Sequence, residues 1–170
     1  MNKYNKNLKL QSETSISDFQ KSNIYSQISM LYVGNKHTDE RGTITFNNDF
    51  DASQIKRIYT IENHSTDFIR GWQGHQIEQR WFACVKGSFE ISVIKVDDFQ
   101  HPSKNLEKKV FRLTDEHLTY LHIPAGCITA IQALEAGAKL LVLADYLLGE
   151  VQDEYRFPLE YFEAREKKNL

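Results

Sequence analysis

Between Met30 and Leu143 the apolar residues of this chain come in short runs, and polar residues or turn formers interrupt every one. The alternation is clearest in Ile55–Ile61 (IKRIYTI), which sets Ile55, Arg57, Tyr59 and Ile61 on one face. That is the two-residue period of a half-buried strand. Comparable runs are Met30–Val33, Thr43–Phe46, Phe68–His75, Arg80–Val85, Phe89–Val96, Val110–Leu113, Thr119–Ile123, Cys127–Ala133 and Lys139–Leu143. Turn signals separate them at Gly34–Asn35, Arg41–Gly42, Lys86–Gly87–Ser88, Pro124–Ala125–Gly126 and Glu135–Ala136–Gly137. Glycine, proline and asparagine meet the dihedral demands of such turns at low steric cost. Roughly ten short strands at regular spacing predict an all-β sandwich or barrel.

The pattern changes at both ends. Residues 1–28 predict a polar arm, of which residues 1–14, rich in Asn, Lys and Ser, are expected to fray or to order only against a partner subunit. Residues 29–150 hold the barrel. Beyond Asp153 the stretch DEYRFPLEYFEAREKK shifts to a helix-like period around Pro158, so residues 151–170 predict a short C-terminal helix packed on the outside. Asp97–Lys109, with His101–Pro102, predicts a polar loop.

One stretch mixes chemistry with bulk. Ile69–Phe89 places Arg70, Gln73, His75, Glu78, Gln79 and Arg80 among Trp72, Trp81 and Phe82. Taken as two strands joined near Gln76–Gln79, it sets Gln73 and His75 on one face and Trp72, Gly74 and Gln76 on the other. A surface hairpin has no need of two tryptophans, and a core hairpin does not carry this many polar groups. The mixture predicts the wall of a ligand pocket.

Length and charge narrow the class. A chain of 170 residues suits one domain with a sizeable core. A formal net charge of −2 gives no general attraction to nucleic acid or to an anionic membrane. Cys84 and Cys127, the only cysteines, lie in apolar runs and predict reduced thiols in a cytoplasmic protein. The segment MNKYNKNLKLQSETS has no apolar signal region, and no apolar run is long enough to span a membrane.

Double-stranded β-barrels of the cupin class often hold a metal between a His-x-His-plus-Glu motif and a Pro-x-Gly-x-x-His strand. Here Gln73 takes the first His position and His75 the second, while Gln79 and Arg80 occupy the Glu positions. Glu78 is one residue out of step and is expected to face away. Pro124, Gly126 and Thr129 keep the second spacing with Thr in place of His. One imidazole and two amides do not hold a divalent transition metal tightly, so no metal is expected.

The same residues carry a resemblance. In order come DERG (Asp39–Gly42), IKRIY (Ile55–Tyr59), RG-x-x-x-H (Arg70–His75) and IPAG-x-x-T (Ile123–Thr129). With this order and spacing the chain resembles the bacterial sugar 3,4-ketoisomerases of the cupin superfamily. More distantly it is similar to the dTDP-4-keto-6-deoxyhexose 3,5-epimerases. The resemblance implies a double-stranded β-helix (jelly-roll, cupin) barrel, and a homodimer that exchanges an N-terminal strand, with MLYV as the candidate. It also implies isomerisation or epimerisation of a nucleotide-linked, dTDP-type 4-keto-6-deoxy sugar in polysaccharide precursor synthesis, with no cofactor.

That chemistry removes a proton beside a ketone through an enediolate. It needs a base with a pKa near neutral, a donor to the developing oxyanion, and cations for the diphosphate. The resemblance assigns His75 as the base and Tyr59 as the group that returns a proton. Arg57, on the face of Tyr59, is expected to bind substrate, Arg70 and Arg80 are candidates for phosphate oxygens, and Trp72 or Trp81 for stacking on the nucleobase or sugar. Gln73, His122 and Thr129 complete the expected lining. Gln73 also marks a departure, because the 3,5-epimerases carry their base there and an amide cannot take a proton. Three readings stand: an isomerase built on His75, a sugar-nucleotide or carbohydrate-binding barrel without turnover, or a structural partner of a glycan-biosynthesis enzyme.

Overall fold

The computed structural model describes residues 30–162. The strands are β1 (Met30–Tyr32), β2 (Asn35–Asp39), β3 (Gly42–Phe46), β4 (Arg57–Ile61), β5 (Ile69–His75) and β6 (Arg80–Lys86). They continue with β7 (Ser88–Lys95), β8 (Lys108–Thr114), β9 (Tyr120–Ile123), β10 (Cys127–Ala133), β11 (Lys139–Ala144) and β12 (Glu154–Arg156). One sheet runs β1-β9-β6-β11-β4, a second runs β12-β5-β10-β7-β8, and β2 pairs only with β3. Every pairing is antiparallel. The result is the expected all-β jelly-roll.

Alternation decides what fills the space between the sheets. Phe89, Ile91 and Val93 of β7 meet Phe82 and Cys84 of β6, Leu121 of β9, and Leu140 and Val142 of β11 in the inner core. Burying a side chain of this size contributes about 1.5–3 kcal/mol. The opposite faces are covered too. Trp72, Ile94 and Ile128 lie under Phe99, Phe157 and Phe162 on the outside of the second sheet. On the outside of the first sheet Trp81, Tyr120 and Leu143 lie under Tyr32, Phe50 and Ile55. Both sheets are therefore buried on two faces, which is why Cys127–Ala133 reads as an almost unbroken apolar run.

Four expectations change. The stretch around His75 is not a hairpin, because β5 and β6 belong to opposite sheets and Gln76–Gln79 carries the chain from one to the other. Aspartates rather than a strand ladder take the backbone N–H groups there, Asp153 for residues 76–78 and Asp145 for Gln79. Ile55 packs in the outer cluster, and the inward alternation starts at Arg57. β2 (NKHTD) has no apolar residue to signal it and is held by its register with β3. Among the described residues of the expected C-terminal helix, Glu154–Arg156 pairs instead with Gln73–His75 as β12 and a 3-10 turn follows at Leu159–Phe162, while residues 163–170 lie outside them. The 1–28 arm lies outside the described residues.

Asp39 and Arg41 fix the β2–β3 turn: the Asp39 carboxylate accepts the Arg41 backbone N–H at 2.9 Å and is paired with its guanidinium. The turn is thus held locally, as a short polar hairpin requires.

Gly74 sets how closely β5 approaches β10. A Cβ there would meet the Cys127 carbonyl and stand 2.6 Å from Ile128 Cα, both backbone groups. Gly74→Ala is expected to destabilise the protein by about 1–3 kcal/mol in urea denaturation, with unchanged stability showing that the strand pair can open.

Candidate functional site

His75 closes β5 beside Cys127 of β10 and Glu154 of β12. Its side chain is 9% exposed. Nδ1 lies 3.2 Å from Asp153 Oδ1. The other Asp153 oxygen accepts the backbone N–H of Ile77 at 2.5 Å and of Glu78 at 2.8 Å, and Oδ1 also takes that of Gln76 at 3.3 Å. A carboxylate acceptor on Nδ1 sets the proton on that nitrogen and leaves the Nε2 lone pair free. Nε2 is buried without a hydrogen-bond partner.

Burial pushes the His75 pKa below the ordinary imidazole value and the Arg80 charge adds to the fall, while Glu78 and Asp153 pull it upward. The ring is therefore neutral at neutral pH and able to accept a proton. Beside it, Arg57 Nη2 lies 3.2 Å and Arg80 Nε 2.7 Å from Glu78 Oε1. The Arg57 guanidinium sits 5.3 Å over the Tyr59 ring.

Two connected spaces meet at these side chains. An inner recess of about 10 Å³, room for a single water, is lined by Gln73, Phe82, Ile123, Cys127 and Thr129. A cleft of about 330 Å³, open to solvent, is lined by Arg57, Leu148, Val151, Gln152 and Glu154. His75, Glu78 and Arg80 belong to both. Ligand sites typically span about 300–1,000 Å³, so the cleft falls at the lower end of that range and the recess holds no more than a water.

The expected residues are only partly brought together. His75, Arg57, Arg80, Gln73 and Thr129 converge, with the Thr129 hydroxyl donating to the Gln73 carbonyl at 3.3 Å. Tyr59 packs against the inner core and lines neither space. Arg70 is exposed and also lies off both. The tryptophans face outward. Trp72 donates its indole N–H to the Leu159 carbonyl at 3.2 Å. Trp81 stacks on His122 with ring centroids 4.8 Å apart. His122 shares a face with Tyr120, as expected, but that face is the outside of the first sheet, where its Nε2 meets Gln79 Oε1 at 2.8 Å. Alternation is the cause: with Arg80 and Phe82 pointing inward, Trp81 between them cannot.

Glu78 reverses another expectation. It is 5% exposed and points into the site, because Gln76–Gln79 is not extended strand and a two-residue period does not apply to it. Asp153 was missed entirely. It sits in a polar stretch just before β12, where nothing local distinguishes it from any turn acid. Burial pushes both thiols, Cys84 and Cys127, up to about 11, so neither is a thiolate near neutral pH. No helix among the described residues is long and apolar enough to cross a membrane.

Comparison with known proteins places this geometry. The family model for FdtA, described as WxcM-like, C-terminal, matches residues 26–165. The chain belongs to this WxcM-like family. A search of curated proteins finds no match. Among solved structures, the WxcM-like chain is similar to a mutant of the 3,4-ketoisomerase QdtA from Thermoanaerobacterium thermosaccharolyticum in complex with TDP-4-keto-6-deoxyglucose. They share 24% identity over 80% of this chain and 92% of that one, with a TM-score of 0.61. A 3,4-ketoisomerase from Helicobacter canadensis matches at 24% identity over 79% and 94% of the two chains, TM-score 0.60. The rmlC epimerase of Mycobacterium tuberculosis matches at 14% identity over 81% and 74%, TM-score 0.63. At such identities the likeness establishes the cupin jelly-roll fold.

Two outcomes are expected of the WxcM-like site. The His75 ring, followed by NMR, titrates with a midpoint below 6.5. Its folded pKa lies below its unfolded one, so its contribution to stability is present above the unfolded value and is lost as pH falls through the folded one; His75→Asn should flatten that limb of the stability–pH curve. Asp153→Ala strips an acceptor from three backbone N–H groups and the imidazole. It should destabilise the protein by about 3 kcal/mol in denaturant titration, whereas a loss within error would mean water replaces the carboxylate.

Proposed function

We propose that this protein is an isomerase acting on a nucleotide-activated, dTDP-linked 4-keto-6-deoxy sugar by proton transfer through an enediolate. The observation that carries the reading is the buried, unpartnered Nε2 of His75, a residue oriented by Asp153 and lining the same cleft as two arginines. Family membership and the ligand of the T. thermosaccharolyticum ketoisomerase supply the substrate class.

In this mechanism the His75 Nε2 lone pair takes the proton from the carbon next to the ketone. The electrons of that C–H bond form the C=C bond of the enediolate, and the ketone oxygen takes up the negative charge. Arg57 and Arg80, which line the same cleft, supply the cations for the diphosphate that anchors the sugar. Asp153, on Nδ1–H, stabilises the imidazolium while it holds the proton. The imidazolium then delivers the proton to the former ketone carbon, and the hydroxyl proton of the neighbouring oxygen crosses to the former ketone oxygen, so the ketone has moved by one carbon.

One base working from one face moves a ketone; it does not invert a centre, which needs a donor on the opposite face. Tyr59 lines neither space, and Gln73 cannot donate an acidic proton. Ketoisomerisation therefore fits better than epimerisation. The reading carries with it a cytoplasmic setting in polysaccharide precursor synthesis and a homodimer, with β1 on the outer edge of the first sheet as the strand to exchange.

The amide and hydroxyl at Gln73 and Thr129 favour one rival, a barrel that binds the same sugar nucleotide without turnover. Incubation with dTDP-4-keto-6-deoxyglucose in D₂O separates the two. Deuterium should enter the ring carbons beside the ketone, and His75→Asn should slow its entry by about 10²–10⁴-fold with nucleotide affinity retained. Saturable binding without deuterium uptake from any 4-keto sugar nucleotide would leave the binding barrel.

A further inference from the structure

Arg57 and Arg80 reach the cleft already bound to one carboxylate. Both donate to the same oxygen, Glu78 Oε1, at 3.2 and 2.7 Å. The backbone N–H of Glu78 is held in turn by Asp153 at 2.8 Å, so the carboxylate that orients His75 also fixes this residue. Side-chain exposure ranks the three from the cleft inward: Arg57 19%, Arg80 15%, Glu78 5%. The guanidinium edges thus face the cleft and the carboxylate lies beneath them. Arg57 Nε is buried with no acceptor, and so is His75 Nε2, 3.8 Å from Glu78 Oε1 and beyond hydrogen-bond reach. Two cations share one anion, and one guanidinium N–H is left without a partner.

We propose that Glu78 is a displaceable counter-ion that occupies the Arg57–Arg80 pair in the free protein and yields it to the diphosphate of the nucleotide sugar. The inference rests on the reading above for its ligand, and it adds a selectivity-determining residue to that site. A diphosphate presents more acceptor oxygens than a carboxylate and can meet both guanidinium forks. A small monoanion gains too little to displace a buried ion pair, so the exchange favours a multivalent ligand. It also changes what His75 faces. The groups around the ring are Arg80, Glu78 and Asp153, with Arg57 across the pair. Once phosphate neutralises Arg80 and frees Glu78, the field at Nε2 favours the imidazolium, and the base strengthens when the ligand is seated.

Calorimetric titration with inorganic pyrophosphate tests the competition without turnover. Glu78→Gln keeps the shape and removes the competing charge, so it should bind pyrophosphate at least about fivefold tighter than the unaltered protein, on the order of a 1 kcal/mol change in binding. A purely structural role predicts the reverse. Equal or weaker binding by the variant, or no measurable binding by either protein, overturns the proposal. If circular dichroism shows that the variant does not fold, the His75 ring titration of the unaltered protein decides. Its midpoint should rise with saturating pyrophosphate, and an unmoved midpoint overturns the idea. Tighter pyrophosphate binding by the variant together with no deuterium uptake from 4-keto sugars would retain the counter-ion and remove the isomerase.

Discussion

A segment that leaves one sheet and enters the opposite one has backbone N–H groups with no strand to pair with, and buried donors of that kind must find acceptors. Here Asp153 takes three of them, from Gln76, Ile77 and Glu78, and adds the ring N–H of His75. The same carboxylate therefore closes the crossover, sets the imidazole tautomer and aims Glu78 at the arginines. Fold and site share one anchor, and it comes from the far end of the described chain.

Around that anchor the sheets are covered on both faces. Apolar clusters cover the outer faces of both sheets as well as the space between them. The tryptophans belong to those outer layers, and the wall of the recess sets Gln73, Cys127 and Thr129 beside Phe82 and Ile123 of the inner core. Polar chemistry is then confined to the open end, where the loop after β11 meets β5 and β6. Low dielectric at His75 and solvent access through the cleft follow from the same layering.

In this chain Arg70, Gly71 and His75 keep the spacing that the 3,4-ketoisomerase resemblance rests on, with Gln73 and Thr129 at the two positions where that resemblance leads one to expect imidazoles. What remains is a single imidazole with a carboxylate behind it and an Arg–Glu–Arg cluster in front.

Alternating and turn-punctuated runs were enough to find ten of the twelve strands, because the requirement for one face of a strand to be buried is written locally. They missed β2, which has no apolar residue, and β12, whose pairing with β5 depends on a partner about eighty positions away. His75, Gln73, Thr129, Arg57 and Arg80 could be placed on the wall because strand period and motif spacing are local too. The outward turn of Trp72, Trp81 and His122 depended on which sheet each strand joined. The inward turn of Glu78 and the union of Asp153 with His75 depended on a crossover with no strand geometry. Chain periodicity determines the faces of a strand, and only the packed sheets decide which face is inside.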